Sequence, residues 1–104
     1  MKVVITSSGS TLQDKVDARF GRCPFFVFYD TDNKQTEILP NPNMDADEGA
    51  GPAAVRFVAS RNVKKSISGE FGFKIKSLMD SAGIQMIVVK ADKTVKEIID
   101  LLNN

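Results

Sequence analysis

Hydrophobic positions change period several times along the chain. Lys2-Val3-Val4-Ile5-Thr6 is a short β-branched run, the pattern of a buried strand. Ser7-Ser8-Gly9-Ser10-Thr11 breaks it with small polar residues suited to a loop at a strand end. Phe25-Phe26-Val27-Phe28-Tyr29 is a second, strongly β-prone run. Turn residues Asp30 to Lys34 and the half-alternating Gln35–Leu39 predict its hairpin partner. Pro40-Asn41-Pro42-Asn43 ends that strand, because proline donates no ladder hydrogen bond and restricts the residue before it. After an acidic, glycine-containing segment from Asp45 to Gly51, Pro52 predicts a helix start. That helix runs to Ser60 with Ala54, Val55 and Val58 facing inward.

The second half alternates strand and helix. Val63 to Ile67 predicts a strand interrupted by Lys64 and Lys65. Phe71, Ile75, Leu78, Met79 and Ala82 fall at helical spacing, with Gly83 placed for a left-handed C-terminal cap. Ile84 to Val89 is apolar apart from Gln85. Thr94-Val95-Lys96-Glu97 has the form of a capping box opening a last helix with Val95, Ile98, Ile99 and Leu102 as its buried stripe. The order is therefore β-β-β-α-β-α-β-α: an α/β domain over 1–104, with a mixed five-stranded sheet between helices on both faces. The hairpin extends one side of the sheet and the later crossovers are parallel and right-handed.

Composition narrows the function classes. The chain has 104 residues, 42% hydrophobic and 26% charged, enough for one modest core. No apolar run approaches the roughly 20 residues of a membrane span, and the N-terminus lacks a secretory pattern. A single cysteine excludes an internal disulfide and fits a reducing cytoplasm. Net charge is +1. Residues 1–52 hold 5 basic and 8 acidic residues (−3), and residues 53–104 hold 9 and 5 (+4). That mild asymmetry, without a dense Lys/Arg cluster interleaved with aromatics, argues against nucleic acid as a partner.

Candidate chemistry concentrates in Val16-Asp17-Ala18-Arg19-Phe20-Gly21-Arg22-Cys23-Pro24-Phe25-Phe26, which holds two arginines and the only cysteine of a chain without histidine. Ligands of open α/β sheets bind beyond the carboxyl ends of the parallel strands. Three glycine-containing loops are expected to converge there: Ser7–Thr11 continuing into Arg19–Cys23, Asn41–Gly51, and Ser68–Gly72. Helix N-termini opening from two of them offer free amides to an anion. Arg19 and Arg22 add formal charge, and amides near Ser8, Gly9, Gly51 and Gly69 add hydrogen bonds. Cys23 has two readings: a small core residue, or, exposed beside Arg22, a thiolate able to ligate one metal.

This pattern resembles the dinitrogenase iron–molybdenum cofactor biosynthesis family. The likeness rests on Thr6-Ser7-Ser8-Gly9, on the Val16–Phe26 segment, on Gly49-Ala50-Gly51, on Gly69-Glu70-Phe71-Gly72 and on Ala82-Gly83-Ile84. It implies a ribonuclease-H-like three-layer fold. It also implies a non-catalytic, nitrogenase-accessory-like role: binding or carrying an anionic iron–sulfur or molybdenum-containing cluster, or its precursor, with a cluster donor or acceptor protein as partner. A monomer or weak dimer is expected. Two features depart from the family pattern: the missing histidine, and Gly72-Phe73-Lys74 where many members have Gly-Pro-Asn. The alternative is an interaction module that binds a protein or a small anion without a cluster. A ribonuclease-like metal enzyme is excluded because Val3, Val4, Ile5 and Thr6 put no carboxylate on the first strand. A thiol enzyme lacks both a histidine base and a resolving cysteine.

Overall fold

A computed structural model of the chain describes residues 1–103; Asn104, the last residue of the expected domain, lies outside the described residues. Eight elements follow the expected order. They are β1 (Lys2–Ser7), β2 (Phe25–Asp30), β3 (Thr36–Pro40), α1 (Ala50–Ala59), β4 (Lys65–Ser68), α2 (Ile75–Ala82), β5 (Gln85–Val88) and α3 (Val95–Leu102). The sheet order is β3-β2-β1-β4-β5. β1 pairs antiparallel with β2 and β2 with β3, while β4 runs parallel to β1 and β5 parallel to β4. The hairpin thus extends one side of the sheet.

Side-chain alternation along the strands splits the core in two. Val4, Phe26 and Phe28 point to one face and pack with Ala54, Val55 and Val58 of α1 and Ile75 and Met79 of α2. Val3, Ile5, Val27, Tyr29 and Ile67 point to the other and pack against Val95, Ile98 and Ile99 of α3. Helices cover both faces, as the hydrophobic pattern required.

Several boundaries differ from expectation. α1 starts at Ala50 rather than Pro52, because Gly49 takes a left-handed conformation (φ 70°) and begins the helix two residues earlier. Pro52 then sits inside the first turn, where its missing N–H removes no helical bond. Phe71 is not part of α2. It lies in the preceding turn with its ring 5.5 Å from that of Phe20, and Leu78 and Ala82 of the expected apolar stripe are exposed. β4 begins two residues late: Asn62 closes the turn after α1 at φ 63°, and Val63 drops into the core ahead of the strand. Gly83 caps α2 at φ 73°, and both arms of the Thr94–Glu97 capping box form.

Candidate functional site

Buried hydroxyls at the carboxyl ends of the two central parallel strands fasten the arginine loop. Thr6 Oγ1 donates to the Asp17 carbonyl at 2.9 Å, and Ser68 Oγ donates to the Glu70 carbonyl at 3.0 Å. Backbone bonds run from Asp17 N to Thr6 O and from Gly69 N to Asp17 O, both 3.0 Å. Arg19 then bridges Glu70 in a short parallel pairing. Asn41, nearly buried, ties in the loop after β3. Its Nδ2 donates to the carbonyls of Gly21 at 3.1 Å and Cys23 at 3.0 Å.

These ties bring the arginine loop, the N-terminus of α1 and the turn before α2 around one groove of about 430 Å³. Arg19, Arg22, Gly51, Glu70, Lys74 and Ile75 are among the residues lining it. Its ionised side chains are thus three cations and one carboxylate. No side chain caps α1. Among the described residues the Ala50 and Gly51 amides have no protein acceptor, so both are free to meet a ligand at the positive end of the helix dipole. The Arg19 side chain is 59% exposed, with only a loose 3.9 Å contact from Nε to Asp17. Its guanidinium is therefore free to turn toward a ligand. Arg22 is committed differently, its Nη1 donating to the Met44 and Ala46 carbonyls.

The family described as "Dinitrogenase iron-molybdenum cofactor" matches residues 1–104. The chain belongs to that family. The apo form of the orange protein from Desulfovibrio gigas is similar at 27% identity and a TM-score of 0.89, over 95% of this chain and 83% of that one. A putative NifB protein from Thermotoga is similar at 32% identity and a TM-score of 0.82, over 95% and 84%. No curated protein matches.

As a member of this family, the chain brings together some of the expected site residues and separates others. Arg19, Arg22 and Gly51 share the groove, whereas Ser8, Gly9, Gly69 and Cys23 are not in its lining. Ser8 N and Oγ both donate to the Lys15 carbonyl at 2.9 Å. The Gly9 amide points at Ser7 Oγ, 3.3 Å away, and the Gly69 amide is used by Asp17. Cys23 is fully buried in the core shared with Phe20 and Phe26. Its Sγ lies 3.4 Å from the Phe20 carbonyl, and burial, with Asp17 nearby, pushes the thiol well above its ordinary pKa. Of its two sequence readings, the packing residue describes this position.

Sequence reasoning missed Thr6, Ser68, Asn41 and Lys74. Small polar residues at strand ends and an asparagine between two prolines were the available signals, but their partners lie far away in sequence. Among the described residues, no cluster of three or more His, Cys, Asp or Glu side chains could hold a metal ion. The donors of the groove suit an anion, held by guanidinium, ammonium and backbone N–H groups, rather than a bare cation. No helix among the described residues is long and apolar enough to cross a membrane.

Proposed function

We propose that this domain binds an anionic metal–sulfur cluster, iron–molybdenum cofactor-like or a precursor of it, and carries it without catalysing a reaction of its own. One observation carries this reading: Arg19, Arg22, Lys74 and the uncapped N-terminus of α1 meet in a single groove. A polyanionic cluster needs charge-assisted hydrogen bonds more than covalent ligands. Arg19 and Lys74 supply charge, the Ala50 and Gly51 amides hydrogen-bond the cluster's sulfides, and Arg22 shapes the wall. Cys23 serves as packing rather than as a ligand. Membership in a family described by the iron–molybdenum cofactor supports the choice of cargo, and a relative solved in an apo form agrees with it.

The β3-β2-β1-β4-β5 sheet order and helices on both faces support a ribonuclease-H-like architecture formed as a single domain. The carrier works in the cytoplasm as a monomer or weak dimer, exchanging its cargo with a donor or acceptor protein. Anaerobic reconstitution with isolated iron–molybdenum cofactor tests the reading through metal content and visible absorbance. Wild type and Cys23→Ala are expected to take up the cofactor, and Arg19→Ala to lose most of it. Equal uptake by Arg19→Ala, or none by wild type, would contradict the proposal.

A further inference from the structure

The groove that gathers Arg19, Arg22 and Lys74 also holds one carboxylate, that of Glu70. The backbone fixes its place. Glu70 pairs with Arg19 in a parallel bridge, and its carbonyl accepts from the buried Ser68 Oγ at 3.0 Å. Residues opposite each other in a parallel pairing direct their side chains to the same side, so carboxylate and guanidinium stand abreast. They do not pair. Glu70 has no ion-pair partner among the described residues. Asp17, the other acid beside Arg19, is held by the loop itself, its Oδ2 accepting from the Arg19 amide at 3.1 Å. Glu70 is exposed, and its charge is left to act on whatever enters the groove.

A carboxylate on the wall of an anion groove opposes the ligand. Shape does not call for it, since glutamine fills the same volume. Coulomb energy is linear in ligand charge, so the opposition falls hardest on multiply charged anions. We infer that Glu70 is a specificity-determining residue that holds down the groove's affinity for multiply charged anions. It narrows their advantage over singly charged ones, so metal–sulfide anions of low net charge are accepted alongside them. This role rests on the proposed cluster site. Removing a unit charge a few ångströms from a dianion in a solvated groove changes affinity by about three- to tenfold. The same removal acts on a monoanion by about the square root of that factor.

The test is anaerobic titration calorimetry of the full chain with two tetrahedral sulfide anions of similar size and different charge. They are tetrathiomolybdate, a dianion, and tetrathioperrhenate, a monoanion. Glu70→Gln and Glu70→Ala are both expected to tighten the dianion about three- to tenfold and the monoanion by about the square root of that factor. Alanine adds no hydrogen-bond donor, so agreement of the two variants assigns the gain to charge. Glu70→Asp should keep the wild-type ratio of affinities, and all three variants should keep the wild-type melting curve. The gain should shrink from low to high salt. Asp32→Asn makes the same change in net charge in the turn after β2, at the opposite end of the sheet from the groove. It should leave both affinities unchanged. Wild-type binding with equal gains for both anions, with no gain, or with weaker binding by the Glu70 variants overturns this role and leaves the cluster site standing. Binding of neither anion by wild type overturns both.

Discussion

Arg22 donates from Nη1 to the carbonyl oxygen of Met44 at 3.1 Å, and the same nitrogen reaches the Ala46 carbonyl. The guanidinium thus braces the acidic loop of residues 41–49 against the arginine loop, with Asn41 holding the other end. Hydrogen bonds from a charged donor contribute about 1.5–3 kcal/mol when well enclosed. Arg22 is only half-buried, so Arg22→Ala should lower stability by about 1–2 kcal/mol. Urea denaturation gives the magnitude. Faster amide exchange confined to residues 43–49 would identify the brace as its source, whereas unchanged exchange there would refute it.

Close backbone approach at Gly69 explains that glycine better than ligand binding does. A Cβ there would lie 2.6 Å from the Ala18 Cα, which is backbone and cannot yield cheaply. A Cβ on Gly51 would instead meet Ile75 Cδ1 at 2.6 Å, the far end of a flexible side chain. Gly69→Ala should therefore cost about 1–3 kcal/mol and Gly51→Ala less than about 1 kcal/mol. Thermal unfolding of the two variants checks the order, and a reversed order would show the loop contact to be slack.

Cys23 makes a pH prediction with a definite sign. Its folded pKa is raised by burial, so the unfolded chain gives up the thiol proton first as pH climbs. Stability is unaffected well below the ordinary thiol pKa of about 8.5 and falls above it, by about 1.4 kcal/mol per pH unit from this group. Subtracting the Cys23→Ala stability profile from that of wild type isolates the effect of this thiol. Thiol labelling at pH 8 should also be slow and quicken with denaturant. Rapid labelling of the folded protein would mean the thiol reaches solvent.

The Thr94 cap is a local device and should behave as one. Thr94 Oγ1 accepts from Glu97 N at 3.1 Å, and Glu97 Oε1 accepts from Thr94 N at 3.1 Å. Thr94→Ala should cost about 1 kcal/mol in denaturant titrations without altering anion binding at the groove, whose lining does not include Thr94.

That box was legible because its residues are three apart, as were the alternating strands, the Gly83 cap and the two-faced sheet. Local spacing carries such features. Long-range contacts do not appear in spacing: nothing near Phe71 in sequence marks its packing against Phe20 rather than joining α2. Nor does the order of residues reveal that the amides of Ser8 and Gly69 are taken by Lys15 and Asp17. The convergence of Arg19, Arg22 and Gly51 was inferable from topology alone, since all three follow strand ends on one rim. Cys23 was ambiguous because a cysteine before a strand reads the same whether it faces the core or the solvent.

Amide NMR during titration with tetrathiomolybdate, a diamagnetic metal–sulfide dianion, tests the anion groove most directly. Saturable shifts centred on Ala50, Gly51 and the Arg19 Nε–H are expected, weakened by Arg19→Ala and by Lys74→Ala and insensitive to Cys23→Ala. Shifts centred on the hairpin cleft near Lys2 and Asn33, or on Ser8 and Gly9, would contradict it.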